Sequence, residues 1–418
     1  MSRLSSSIGR SGSLEQARSD LASVTRLARQ LVRLRSRAGI DPPGPVLDLL
    51  DRWLVQHGLT TVRIGTKGDG GPLAVMSEIP GAHPGPRWVL DACVDTAPFG
   101  DAALWTHPPT SGTVQDGWLH GRGAADCKTA AAIFCHLAWR LRRYASDFHG
   151  TLTLLFDADE HTGRFGGVRA FRDQVDGDIA GAMIGYPGLH HVVVGCRGFW
   201  RARLVVHGTA AHSGRGKHAS PPGNAVEKAA VLVAKLSERR IPGSPEPDFG
   251  GLSPRLTVTA VRGGEGFSTV PDHCDVWVDV RLTPAFDAAA AERLVRGSAA
   301  EVDQHWPTAH ATEVEAEESW PAYRLLPDAP VAAALLQAAG RHLDRPPKPK
   351  IAGPSNIGNY LASHGIPTTA GFGVAYAGLH GTDERIDLAT VPFVQAAYHD
   401  AVLELLTSRI ASRSPGNW

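Results

Sequence analysis

The chain has 418 residues, 43% of them hydrophobic, and 42 Lys+Arg balance 42 Asp+Glu to a formal net charge of zero. That length allows two domains and a large buried core. The balanced charge argues against a field that would draw the chain to nucleic acid or an anionic membrane, and no apolar stretch approaches the ~20 residues of a membrane span.

Met1 to Asp20 is rich in Ser, Gly and Arg and lacks the apolar core of a secretion signal, so residues 1–20 read as a disordered arm. From Leu14 to about Ala38, apolar residues at helical spacing (Leu21, Val24, Leu27, Leu31, Leu34) predict an amphipathic helix, and a second spans Val46 to Gln56. Trp88-Val89-Leu90, Leu152 to Phe156 and Ala180 to Gly185 are short apolar runs, as buried parallel strands are. A helix over Ala130 to Arg143 lies among them. This alternation predicts an α/β domain with a mainly parallel central sheet flanked by helices. Five cysteines (Cys93, Cys127, Cys135, Cys196, Cys274) have no CxxC spacing, which points to a reducing cytoplasm and not to a disulfide framework.

The pattern changes near Gly195. Phe199 to His207 alternates like a half-exposed strand, Asn224 to Arg239 is helical, Leu256 to Val261 and Cys274 to Leu282 alternate, Ala285 to Val302 is helical, and Ala309 to Val314 reads as a last strand. That order is the order of a ferredoxin-like α+β sandwich. The expected organisation is a catalytic domain in two parts, 1–195 and 317–418, with the smaller domain inserted at about 196–316.

In open α/β sheets, ligands bind beyond the carboxyl ends of the strands. After Leu90 comes Asp91-Ala92-Cys93-Val94-Asp95, and after Phe156 comes Asp157-Ala158-Asp159-Glu160-His161. After the third run comes Tyr186-Pro187. After Thr368 to Phe372 comes a glycine-rich loop ending in Leu379-His380-Gly381, and Asp126 precedes the helix that starts near Ala130. Carboxylates and imidazoles recurring at strand ends are what a zinc site with an open coordination position needs.

These stretches, in this order, resemble the dinuclear zinc hydrolases that include acetylornithine deacetylase, succinyl-diaminopimelate desuccinylase, aminoacylase and glutamate carboxypeptidase. The resemblance runs from about Leu14 to Leu405. The family's His-x-Asp…Pro corresponds to Cys93-Val94-Asp95-Thr96-Ala97-Pro98, its Gly-Arg-Gly…Asp-x-Lys to Gly121 through Lys128, and its Asp-Glu-Glu to Asp159-Glu160-His161. Its Gly-Glu-Pro corresponds to Gly185-Tyr186-Pro187, and its last His to His380 before Asp383-Glu384. In the small domain, Gly208-Thr209-Ala210-Ala211-His212-Ser213, Asn224-Ala225, Ser268-Thr269-Val270-Pro271 and Arg281 fall on the family's motifs.

The resemblance implies a metal-dependent amidohydrolase that cleaves an N-acyl amino acid or a short peptide. One metal would be held by Asp126, His161 and His380, with His161 in place of the family's Glu. The second would meet Cys93 and Tyr186 where the family has His and Glu. Cysteine is an excellent zinc ligand, whereas tyrosine is a poor one because its phenol keeps its proton to pH ~10. No cysteine-hydrolase motif surrounds Cys93. Zn2+ is the expected ion, with Co2+ or Mn2+ as alternatives. Glu160 would be the general base, its pKa raised by Asp157 and Asp159, and Asp95 would orient a ligand. His212 would stabilise the oxyanion from across a homodimer formed through the small, lid-like domain. Arg281, Ser268, Asn224 and Gly353 would line the substrate. The competing reading, carried by Cys93 and Tyr186, is a non-hydrolytic relative that binds a ligand or catalyses condensation or cyclisation.

Overall fold

The computed structural model describes residues 10–65, 71–175, 177–214, 223–241, 245–306 and 310–408. The chain divides into two units. Met1–Gly195, Leu325–Lys350 and Asn356–Trp418 form the first, and Cys196–Arg324 with Ile351–Ser355 the second. In chain order the first unit contains α1 (Arg10–Arg33), α2 (Gly44–Gln56), β1 (Thr61–Gly65), β2 (Pro72–Pro80), β3 (His83–Cys93), α3 (Thr129–Leu141), β4 (His149–Asp157), α4 (Gly166–Gln174) and β5 (Ile179–Ile184). The second contains β6 (Gly198–His207), α5 (Ala225–Glu238), β7 (Arg255–Gly263), β8 (His273–Leu282), α6 (Ala288–His305) and β9 (Glu313–Trp320). The first then resumes with α7 (Pro330–His342), α8 (Ile357–Ser363), β10 (Thr368–Ala370) and α9 (Val391–Thr407).

The first unit is built on a six-stranded sheet in the order β1-β2-β4-β3-β5-β10. The β4, β3, β5 and β10 strands run parallel, and β1 and β2 extend the sheet antiparallel. Strands β3 and β4 are buried continuously over their last residues, Trp88–Cys93 and Leu152–Asp157, which is why both read as unbroken apolar runs. Helix α3 is almost wholly buried, and its small Ala130, Ala131 and Ala132 let it lie close to its neighbours.

The second unit is a four-stranded antiparallel sheet in the order β7-β8-β6-β9. Alternate residues of β8 (Cys274, Val276, Val278, Val280, Leu282) are buried against Ala225, Ala229, Leu232 and Leu236 of α5 and Ala291, Val295, Ala299 and Val302 of α6. Each fully buried Val or Leu contributes ~1.5–3 kcal/mol, so this one face accounts for the coherence of the unit.

Three expectations need correction. The arm over residues 1–20 is wrong from Arg10 onward, where helix α1 begins; residues 1–9 lie outside the described residues. The helix forms there because Ala17 is buried and Asp20 is buried and accepts hydrogen bonds from Gln395 (2.9 Å) and Arg140 (3.2 Å). The same helix ends at Arg33, short of Ala38. The second unit does not stop at 316 either. The last strand runs from Glu313 to Trp320, pairing with β6 as far as Trp320 opposite Phe199, and Ile351–Ser355 joins this unit as well.

Candidate metal centre

The carboxyl ends of β3, β4 and β5 deliver the first set of groups. Cys93 is the last residue of β3 and lies in register with Asp157, the last of β4. The turn after β4 carries Glu160 and His161, and Asp95, two residues beyond β3, fixes it. The Asp95 carboxylate accepts the backbone N–H of Glu160 (3.2 Å) and of His161 (2.9 Å). Tyr186, two residues beyond β5, donates its hydroxyl to Oε1 of Glu160 at 2.8 Å.

Asp126 and His380 arrive on loops, 254 residues apart in sequence. Two features hold these loops together. Arg385 and Ile386 pair antiparallel with His120 and Leu119. Beneath them the buried Arg122 and Glu384 form an ion pair at 2.6 Å. Glu384 also accepts the N–H of Ala125 (2.9 Å), and Arg122 donates to the carbonyls of His380 (3.2 Å) and Gly381 (2.9 Å). Arg122 and Glu384 were not singled out in the sequence, although both sit inside the motifs that carry Asp126 and His380.

The result is one carboxylate with two faces. Asp126 Oδ2 is 2.9 Å from Nε2 of His380 and 3.5 Å from Nε2 of His161. Its Oδ1 is 2.9 Å from Sγ of Cys127 and 3.8 Å from Sγ of Cys93, and the two sulfurs are 3.6 Å apart. Asp126, His161 and His380 offer donor atoms close enough to share a cation, as do Cys93, Asp126 and Cys127, and also Cys93, Glu160 and His161. The imidazole–carboxylate set fits zinc. Two N/O donors at ~2.1 Å from a tetrahedral zinc stand about 3.4 Å apart, close to the spacing here. The His380 side chain is 55% exposed, so this position opens outward. Cys127 stands in the sequence as one of five scattered cysteines and as the residue after Asp126, and neither fact tells which way its side chain points.

Burial sets the electrostatics. It pushes Glu160 up to about 7; the His161 charge works against that rise, and the Asp126 and Asp95 charges reinforce it. The expected cause, repulsion from Asp157 and Asp159, is therefore replaced by burial. Burial also opposes ionisation of Asp126, but hydrogen bonds from His161 and His380 outweigh it and hold that carboxyl well below the usual range. It opposes the charged form of His161 too, where Glu160 and Asp95 prevail and raise the imidazole. Behind these groups, burial lifts Asp91 to about 8 and raises Asp157 well above the usual carboxylate range. The Cys93 and Cys127 thiols are raised well up by burial as well.

The remaining expected residues belong to the second unit. His212 is exposed, and its Nδ1 accepts the N–H of Gly214 at 3.0 Å. Arg281 pairs with Asp279 at 2.7 Å and donates to Ser355 at 3.1 Å. Asn224 caps helix α5, accepting from the N–H groups of Val226 and Glu227. The Ser268 carbonyl accepts from Ser213, and the Gly353 carbonyl from Arg197.

Residues 90–404 match the profile of Peptidase family M20/M25/M40. The chain is 26% identical over 369 residues to a succinyl-diaminopimelate desuccinylase of Cereibacter sphaeroides, covering 85% of this chain and 92% of that one. Among solved structures, a di-peptidase of Saccharomyces cerevisiae superposes with a TM-score of 0.77 at 12% identity, over 97% of this chain and 100% of its own. A Bacillus subtilis protein described as a dinuclear metal binding peptidase superposes with a TM-score of 0.67 at 15% identity, over 93% and 99%. At such identities these two likenesses show a shared fold.

Proposed function

The chain belongs to Peptidase family M20/M25/M40, and from that premise we propose that it is a metal-dependent amidohydrolase acting on an N-acyl amino acid or a short peptide. The observation that carries this reading is the position of Glu160 beside the imidazole–carboxylate set. One of its oxygens is held by Tyr186, and Oε2 lies 3.2 Å from Nδ1 of His161. Asp126, His161 and His380 would hold the ion. Zinc suits two imidazoles and a carboxylate, and Co2+ or Mn2+ would satisfy the same donors.

A bound cation would activate a water molecule and polarise the scissile carbonyl. Glu160, its Oε1 accepting from Tyr186 and its Oε2 lying 3.2 Å from Nδ1 of His161, takes the proton of the attacking water. As the C–N bond breaks, it returns that proton to the departing nitrogen. A carboxyl group lifted toward neutrality is suited to both transfers. Asp95 holds Glu160 and His161 in place through their backbone N–H groups. On the substrate side, Arg281 is the group suited to a substrate carboxylate, and the resemblance assigns Ser268, Asn224 and Gly353 to the substrate as well. His212, contributed across a homodimer, would steady the oxyanion. A reducing, cytoplasmic setting accords with five free and buried cysteines. No helix among the described residues is long and apolar enough to cross a membrane.

The test is a Glu160→Gln variant assayed on a panel of N-acyl amino acids and dipeptides, with metal content measured in parallel. Loss of a general base is expected to slow hydrolysis by roughly 10²–10⁴-fold at unchanged metal content. Full activity in the variant would remove Glu160 from the mechanism. A wild-type protein that hydrolyses nothing on the panel would favour the non-hydrolytic reading suggested by Cys93 and Tyr186.

A further inference from the structure

We propose that Cys93, Cys127 and Asp126 form a second cation position, rich in sulfur, that takes a thiophilic ion such as Zn2+ or Cd2+ in preference to Mn2+. It extends the metal centre of the preceding reading but does not require that centre to hydrolyse anything.

The geometry of Asp126 carries the inference. Its two oxygens are divided between two donor sets. Oδ2 faces the imidazoles of His161 and His380, and Oδ1 faces the sulfurs of Cys93 and Cys127. A carboxylate so divided is placed to bridge two ions. The spacing on the sulfur side agrees. Zn–S bonds of ~2.3 Å and a Zn–O bond of ~2.0 Å at tetrahedral angles put the two sulfurs about 3.8 Å apart and each sulfur about 3.5 Å from the oxygen. The observed sulfur–sulfur separation is 3.6 Å, and the sulfur–oxygen distances of 2.9 and 3.8 Å lie on either side of that value. Disulfide sulfurs are bonded at ~2.05 Å, so this pair is not linked.

The three groups come from two segments that the fold presses together: the end of β3, and the residues just before α3. All three are buried, with both cysteines fully enclosed. Among the described residues, the other cysteines (Cys135, Cys196, Cys274) do not converge with further donors of this kind. Cys127 therefore makes up for what this chain lacks elsewhere. At Tyr186 the resemblance would put a carboxylate ligand, and the phenol here is committed to Glu160. Two sulfur donors also change what the position selects. Thiolates favour Zn2+ and Cd2+ and disfavour Mn2+, whereas the imidazole–carboxylate position next to it discriminates less.

The experiment is a Co2+ titration of the metal-free, full-length protein with its thiols reduced. Wild type should develop the near-ultraviolet thiolate-to-cobalt charge-transfer band. Cys93→Ser and Cys127→Ser should each lose the band and one equivalent of metal, and His380→Ala should keep the band while losing the other equivalent. Zinc-edge X-ray absorption of the zinc-loaded wild type gives a measurement independent of any variant, with sulfur scatterers expected at about 2.3 Å. Cobalt bound without the band, a band that survives in Cys127→Ser, or a zinc edge showing only nitrogen and oxygen would overturn the proposal. A protein with the band intact and no hydrolytic activity would refute the amidohydrolase reading and leave this position standing.

Discussion

The Tyr186 hydroxyl donates to Oε1 of Glu160 across 2.8 Å, joining the end of β5 to the turn after β4. The bond favours the ionised carboxylate and so opposes the burial that raises it. Tyr186→Phe removes that support. A hydrogen bond to a charged group is worth ~1.5–3 kcal/mol, or about one to two pH units. The acid limb of kcat/KM against pH should move up by that amount, while the rate on the alkaline side changes little. A limb that stays in place would mean that some other group is the titrating base.

Asp95 fixes both Glu160 and His161 by their N–H groups. Asp95→Ala should weaken metal binding by roughly 10–100-fold, the usual effect of removing a group that orients a ligand. Competition with a calibrated chelator measures it. Wild-type affinity in the variant would show that the turn is held by other contacts.

Arg122 and Glu384 are both enclosed, so removing one strands the other. Arg122→Leu should cost ~3–5 kcal/mol in denaturant unfolding and should lower metal retention, because the His380 carbonyl loses its donor. The double variant Arg122→Leu/Glu384→Leu should be less destabilised than the two single changes summed, since no lone charge is left buried. Simple additivity would contradict the pairing.

Asp400 accepts from His342 at 2.8 Å and lies 3.3 Å from His399. Burial raises its pKa, but the hydrogen bonds from His342 and His399 more than offset this and leave the carboxyl well below the usual range. Its folded pKa is depressed, so the folded state binds fewer protons than the unfolded one. The stabilisation is complete above the unfolded value of ~3.9 and is lost as pH falls toward the folded value. Asp400→Asn should flatten the acid limb of unfolding free energy below about pH 4. An unchanged slope would assign that acid sensitivity to other carboxylates.

The sheet and the small α+β unit were legible because buried strands and half-buried strands have different periods, and β4 and β8 display them plainly. Asp126, Glu160, His161 and His380 could be singled out because strand ends and motif order mark them without any knowledge of side-chain direction. Cys127 could not be, because nothing in sequence tells which way a residue beside Asp126 points. Tyrosine chemistry marks Tyr186 as a poor ligand, whereas its contact with Glu160 depends on the separation of two strand ends. Arg122 and Glu384 meet only through the pairing of 119–120 with 385–386. Ser, Gly and Arg before Asp20 suggest an arm, but the burial of Ala17 and Asp20 against distant residues makes Arg10 onward helical.

The separation of 254 positions between Asp126 and His380 also sets an order of assembly. At about 5–20 residues per second of synthesis, His380 emerges roughly 13–50 s after Asp126. During that interval the imidazole position lacks a donor, while Cys93, Asp126 and Cys127 have all been made. The set of Asp126, His161 and His380 is thus complete only late in synthesis, after the whole second unit has left the ribosome.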